Sequence, residues 1–438
     1  MSRLYDASGN RSSLQHFAIV ELILYHLRRD KKALKTCSLV HRTWLPTARL
    51  YLFRHLSIIL QPQVKDMEEL VQMLRNSAMD PYWPAVGPAI QNLSLKRPQG
   101  PFDWGRGCPV DAMTLARVFF HTVNLRTLTL NDVFIVPARF FRPVVFEEEV
   151  EVGPVNLVRL SLVDIRVRET SVYGSPLDAV LGLFGHIEDL EIYSRDHRPL
   201  CRNAVWFSRH ADVAHFFSPP PNLCIDHLHL TMICGDHPLN RVLSALIPAH
   251  QLTTLYLSFA TDGDIRAARR IFKDCAPTLT HLGLNFRRFR ESVLSGSLKE
   301  PTQWICDVQV PAFQQLKTVS LYIGASWSIL GWAEPYPHAW EAAITILGLL
   351  PKSSTSLEEI VFDILESNEA KQMAFVDKWR NWRFLNDIIG QFKGLPVVTF
   401  ASSHDSHVVP APPSLKPEVR CHIRKKMPTL QQQGRLSI

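Results

Sequence analysis

One spacing of apolar residues recurs along the chain, written apolar-x-x-apolar-x-apolar. With only Leu and Ile admitted, it stands at Ile90/Leu93/Leu95, Leu125/Leu128/Leu130, Leu157/Leu160/Leu162 and Ile187/Leu190/Ile192. It continues at Ile225/Leu228/Leu230, Leu252/Leu255/Leu257 and Leu279/Leu282/Leu284. Looser copies follow at Leu316/Val319/Leu321, Leu357/Ile360/Phe362 and Leu395/Val398/Phe400, and one precedes at Phe53/Leu56/Ile58. Two matches, Ile19/Leu22/Leu24 and Ile344/Leu347/Leu349, fall out of series in stretches that read as helix. The triplet alone is a weak signal. Its spacing carries the argument, since successive copies begin 27 to 41 residues apart over nearly the whole chain.

Between the copies the period changes from two to that of a helix. Asp66–Asn76 places Met67, Leu70, Val71 and Leu74 on one face. Asp111–Thr122, Ser175–Phe184, Pro238–Ile247 and Gly263–Cys275 behave alike, several with Pro or Asp near the first turn, as helix starts favour. Each unit therefore predicts a short strand followed by a helix. One such unit cannot bury its apolar face alone, but a stack can. The expectation is a curved α/β solenoid with a parallel sheet.

These triplets resemble the L-x-x-L-x-L core of the leucine-rich repeat family. That family often places Asn or Cys three residues after the last Leu. Here those positions are Pro98, Val133, Ile165, Arg195, Ile233, Ala260, Arg287 and Gly324, so the resemblance implies an irregular array. In such a repeat the x positions beside the last two Leu point to the concave face, because strand side chains alternate. The middle of the array collects Tyr193, His227, His229, Tyr256, His281 and Tyr322 there. Aromatic side chains are enriched at binding hot spots, which makes this stripe the candidate contact for a protein substrate, against the alternative of a plain solvated face.

The N-terminal segment reads differently. Three short helices are predicted: Phe17–Leu27, Ala33–Thr43 after the polar hinge Arg28–Lys32, and a third after Pro46. Their small core gains from a partner that covers it. Val20–Leu27 (VELILYHL), Leu34–Trp44 (LKTCSLVHRTW) and Ala48–Ile58 (ARLYLFRHLSI) resemble the F-box, in the form common in fungal, basidiomycete-type proteins. The resemblance covers about a tenth of the chain. It implies binding to a Skp-type adaptor, and through it to a cullin, with Leu14, Leu22, Ile23, Val40 and Trp44 at the adaptor face. Family members usually begin with Leu-Pro, and the equivalent pair here is Leu14-Gln15.

The expected organisation is then a flexible arm over 1–12, an F-box-like module over 13–60, a leucine-rich-repeat-like array over 61–400, and a Pro-rich, basic, disordered tail over 401–438. By resemblance the chain is a substrate-recognition subunit of a cullin–RING ubiquitin ligase and not an enzyme. The alternative is a repeat scaffold whose F-box no longer binds the adaptor, motivated by Gln15. A hydrolase, from another class, would need clustered ionisable groups in a deep pocket.

Composition narrows these readings without choosing among them. The chain has 438 residues, 46% hydrophobic and 20% charged, as folded globular chains do. Its net charge is +7 with no dense basic run outside the tail, so nucleic acid is not expected as a partner. No apolar run approaches membrane-spanning length. Eight widely spaced Cys with no CxxC pair, and no apolar signal segment at the start, favour reduced thiols in the cytoplasm or nucleus.

Candidate chemistry is sparse. Cys224–His237 (CIDHLHLTMICGDH) carries Cys-x-x-His twice, but the strand register turns His227 and His229 away from the flanking Cys, so no metal is expected. Ser402–His407 (SSHDSH) holds Ser, His and Asp as sequence neighbours, which does not make a triad. No dinucleotide, phosphate-loop, nucleophile-elbow or zincin motif is present, and no cofactor is expected.

Overall fold

The computed structural model describes residues 11–41, 43–61, 65–80, 85–98, 108–136, 153–167, 176–193, 223–231, 251–258, 271–286, 313–324, 337–350, 356–365, 376, 382–401 and 415–438. The chain is α/β with a large parallel sheet. It divides into two compact units, Met1–His186 and Ile187–Ile438.

Unit 1 opens with three helices: α1 (Arg11–His26), α2 (Lys31–Val40) and α3 (Leu45–Phe53). Asp30, read from sequence as part of a hinge, caps α2: its carboxylate accepts from the backbone N–H of Lys32 and Ala33, each at 3.0 Å. Pro46 sits in the first turn of α3, where its missing N–H costs nothing. Leu24, Leu34 and Ala48 are fully buried together, with Val20, Leu27, Cys37, Trp44, Tyr51 and Leu52 packed around them.

The strands of unit 1 follow: β1 (His55–Ile59), β2 (Asn92–Lys96), β3 (Cys108–Val110), β4 (Thr127–Asn131), β5 (Val133–Ile135), β6 (Val155–Val163), β7 (Arg166–Val167) and the start of β8 (Phe184–Tyr193). Helices α4 (Lys65–Met79), α5 (Ala112–His121) and α6 (Pro176–Leu181) alternate with them, α4 packing on α5 and α5 on α6. Strands β1, β2, β4 and β6 pair in parallel in that order, with Leu56, Leu93, Leu128 and Leu160 in register, then Ile58, Leu95, Leu130 and Leu162. The Leu of β2, β4 and β6 are buried. The helical module is tied to this sheet by its backbone: the N–H groups of Gln91 and Asn92 both donate to Arg54 O.

A small second sheet, β3-β5-β7, was not expected. It forms because the chain turns sharply at Asp132 and Asp164, which adopt left-handed φ of 54° and 51°. Asp tolerates that region better than most residues. The turns interlock, with Asp132 N–H donating to Val163 O at 2.8 Å and Arg97 N–H to Asn131 O at 3.1 Å. The turn residue therefore sits two positions after the last Leu, not three, where Asn or Cys was sought.

Unit 2 carries the rest of β8, then β9 (Cys224–Thr231), β10 (Thr254–Ser258), β11 (His281–Asn285), β12 (Thr318–Gly324), β13 (Glu359–Leu365), β14 (Val397–Ala401) and β15 (Leu436–Ser437). From β9 to β15 they pair in parallel in chain order. All eleven apolar triplets thus end in strands, while the two out-of-series matches lie in α1 and in α7 (Pro337–Leu349). Helix α8 (Trp382–Gly390) buries Trp382, Leu385, Ile388 and Ile389. The expected helix over Pro238–Ile247 lies outside the described residues, as do Cys234, His237 and Ser402–His407. Within each unit the strand order is open and no described pairing closes it, so the curved sheet expected from sequence stands here as an open parallel one.

The tail expectation needs correction. Residues 415–438 form α9 (Pro417–Lys426), α10 (Pro428–Gln432) and β15, which pairs with β14. Val419, Ile423, Met427 and Leu430 are buried on one side, while Arg424, Lys425 and Lys426 hold the last turn of α9. The density of basic residues obscured a four-residue apolar spacing. Arg435 is buried and its guanidinium donates to Pro396 O from Nε and Nη2, both at 3.3 Å.

Burial of Leu34 is central to the three-helix core. Leu34→Ala is expected to lower unfolding stability by about 2–5 kcal/mol in urea denaturation, and a loss below about 1 kcal/mol would contradict this packing.

Candidate functional site

Alternation along β8 to β14 sends the Leu and Ile side chains to the buried side and the x positions to the other face. All six residues singled out from sequence there, Tyr193, His227, His229, Tyr256, His281 and Tyr322, are on described strands. In the register, His229 lies opposite Tyr256, Tyr256 opposite Gly283, and Asn285 opposite Tyr322.

Three of the six form a ladder of rings. His229 stacks on Tyr256 with centroids 5.5 Å apart and planes at 24°. Tyr256 meets Tyr322 edge-on at 5.0 Å and 70°. Such pairs contribute about 0.5–1.5 kcal/mol beyond their burial. Tyr256 and Tyr322 are two strands apart, about 10 Å between backbones. They meet diagonally across the middle strand, where Tyr256 is opposite Gly283, which has no side chain to separate the rings, and Tyr322 is opposite Asn285. A Cβ at Gly283 would stand 2.5 Å from Tyr256 Cδ2. The Tyr256 hydroxyl accepts from Asn285 Nδ2 at 3.1 Å, which fixes the ring's tilt.

His227 is held apart from this ladder. Its Nδ1 lies 2.7 Å from Asp189 Oδ1, with both side chains about one-third exposed. His281 is exposed at the amino end of β11, its Nδ1 2.7 Å from Thr280 Oγ1. Tyr193 is half-buried at the end of β8. The amino ends of the strands are the open side of the face. Toward the carboxyl ends Ser258 and Asp363 are buried. Burial pushes the Tyr322 phenol above its usual range, and the neighbouring Asp363 carboxylate adds to this against a hydrogen bond with Ser320.

Gly283 is the residue that sequence reasoning missed. A Gly at an outward strand position flanked by aromatic x positions marks close approach of another group, and that signal was available. Of the Cys-x-x-His residues, Cys224 Sγ donates to Gln251 Oε1 and His227 is paired with Asp189, while Cys234 and His237 lie outside the described residues; among the described residues there is no group of three or more His, Cys, Asp or Glu that could hold a metal.

The second candidate surface is on the three helices. Leu22, Ile23 and Val40 are exposed, at 58%, 39% and 62%, and Ile19 and Leu39 with them. Trp44 instead packs against the Leu24/Leu34/Ala48 core at the start of α3. Leu14 lies in α1, and its side chain is outside the described residues. No helix among the described residues is long and apolar enough to cross a membrane.

Compared with known proteins, the chain matches no family model and no curated protein. Function must be argued from these two surfaces.

Because its folded-state pKa is raised, Tyr322 favours the folded state below pH 10 and loses that contribution as pH rises through its folded pKa. In a tyrosine titration at 295 nm, Tyr322→Phe should lose a component above pH 10. Loss of a component at or below the ordinary value would contradict the buried placement.

Proposed function

We propose that the chain is a substrate-recognition subunit of an SCF-type cullin–RING ubiquitin ligase. Helices α1 to α3, read as an F-box, hold a Skp-type adaptor and through it a cullin. The strand face of unit 2, read as part of a leucine-rich-repeat-like array, holds a protein substrate. The chain itself performs no chemistry in this reading. It acts by geometry, raising the effective concentration of target lysines near the transfer machinery.

The observation that supports this best is the apolar surface left on α1 and α2. A unit whose buried centre is Leu24, Leu34 and Ala48 keeps Ile19, Leu22, Ile23, Leu39 and Val40 in water. Exposed apolar residues gathered on one small module mark an interaction surface. Covering them recovers about 25 cal/mol for each Å² removed from water. The stretch Cys37–Trp44 then has two roles: Cys37 and Trp44 pack inward, and Leu39 and Val40 face out.

A second reading is a scaffold that binds proteins without the ligase. Gln15 favours it, since it stands where the family's Pro contacts the adaptor.

Capture of the full-length chain by purified Skp-type adaptor tests the proposal. Wild type should bind, and Ile23→Asp should weaken binding by at least about tenfold, because a buried charge replaces an apolar anchor. Met79→Asp, on the exposed side of α4, should have no effect. Absence of wild-type capture would favour the scaffold.

A further inference from the structure

The outward strand positions of unit 2 are unusual in charge. The chain has 48 Lys and Arg against 41 Asp and Glu. Yet among the described positions that share the face of Tyr256, the charged residues are Asp189 and Glu191 on β8 and Glu359 and Asp363 on β13. None of those positions is Lys or Arg. Lys317, just ahead of β12, is paired with Glu358 at 3.5 Å. Unit 1 shows the reverse: the charged outward positions of its strands are Lys96 and Arg159, with no acidic residue.

The acidic positions of unit 2 flank the ring ladder. Asp189 sits on β8 before it, one carboxylate oxygen 2.7 Å from His227 Nδ1, and Glu359 on β13 beyond it, accepting from Thr399 Oγ1 at 2.7 Å. Both are partly exposed at the open, amino-terminal side of the face. Between them the Tyr256 ring stands against Gly283, in contact with His229, Tyr322 and Asn285. Asp363 is buried beside Tyr322 on the same face. Tyrosine rings bind cations through their π faces, and carboxylates pair with them.

We infer that the face of unit 2 takes an extended polypeptide segment bearing Lys or Arg side chains, with a cationic group over the Tyr256 ladder and others near Asp189 and Glu359. The inference rests on the reading of this face as the substrate surface and specifies the substrate's chemistry. Phosphorylated or acidic segments are disfavoured, because recognition of phosphate relies on clustered Arg, and this face offers carboxylates instead. Steering by such a field raises the association rate and weakens with salt.

The test uses the full chain and two labelled probes, a Gly-Lys-Gly-Arg repeat peptide and a Gly-Glu-Gly-Asp repeat peptide, in fluorescence anisotropy. The net charge of +7 means that general electrostatics repels the cationic probe, so its capture reports a local site. The cationic probe should bind and the acidic one should not. The double change Asp189→Lys and Glu359→Lys should weaken binding by about tenfold or more, and Tyr256→Ala by a similar factor, while Tyr256→Phe retains it. Lys96→Glu in unit 1 should leave it unchanged. Tighter binding of the acidic probe would overturn the inference, as would cationic binding that survives the double reversal. Self-association of the chain, abolished by the same reversal, would assign the face to a second copy and also overturn it. Adaptor capture, measured on the same proteins, decides the ligase reading separately. A chain that captures the adaptor but not the cationic probe refutes only the inference.

Discussion

Parallel pairing of short Leu-rich strands is the interaction on which everything else in this protein depends. Side chains alternate along a strand, so placing Leu or Ile at the second and fourth of five residues commits one face to burial. In parallel register these positions meet: Leu228, Leu255, Leu282, Val319, Ile360 and Val398 run across unit 2, each buried. A slip of one residue would drive every Leu into water and every His, Asp and Tyr into the core. The same constraint makes the candidate site. The rings, carboxylates and hydroxyls of the opposite face are aligned because the Leu residues beneath them are.

How far the sequence predicts this follows from the same physics. A period-2 apolar pattern bounded by helical stretches is a local signal, and it marked every strand of the large sheet but the two-residue β15. The helices α4 and α5 were likewise visible through their four-residue apolar spacing. What escaped prediction depends on neighbours that are distant in sequence. The strands β3, β5 and β7 are two or three residues long and exist because the turns at Asp132 and Asp164 stack. The carboxyl-terminal helices were hidden by their charge, although Val419 and Ile423 have helical spacing. Trp44, read as part of a partner surface, is partly buried against the Leu24/Leu34/Ala48 core, a packing that depends on residues brought together by all three helices.

The candidate site shows the same division. Outward placement of His229, Tyr256 and Tyr322 followed from alternation alone. Their assembly into a ladder did not, since it needs two strands to pair with one between them and a Gly on that middle strand. His229 and Tyr256 stand on adjacent strands about 5 Å apart, but Tyr256 and Tyr322 stand two strands apart, about 10 Å, and a side chain at position 283 would come between them. With Gly283 there, the Tyr256 ring comes up against it and contacts both neighbours. The result is a preorganised aromatic surface on a rigid element, the arrangement that loses least entropy when a partner binds. The apolar surface of α1 and α2 is a simpler case, in which a core too small for its apolar residues leaves several of them exposed.

The register that places Tyr256 over Gly283 is the central claim, and a double-mutant cycle tests it directly. Unfolding free energies would be measured in urea for wild type, Gly283→Ala, Tyr256→Ala and the double variant. The account predicts that Gly283→Ala destabilises the wild type, because the new methyl meets the Tyr256 ring, and is nearly neutral once that ring is removed. The coupling should exceed about 1 kcal/mol. Additive effects of the two changes would show that the ring does not meet Gly283, and would contradict the register from which both the sheet and the candidate site are derived.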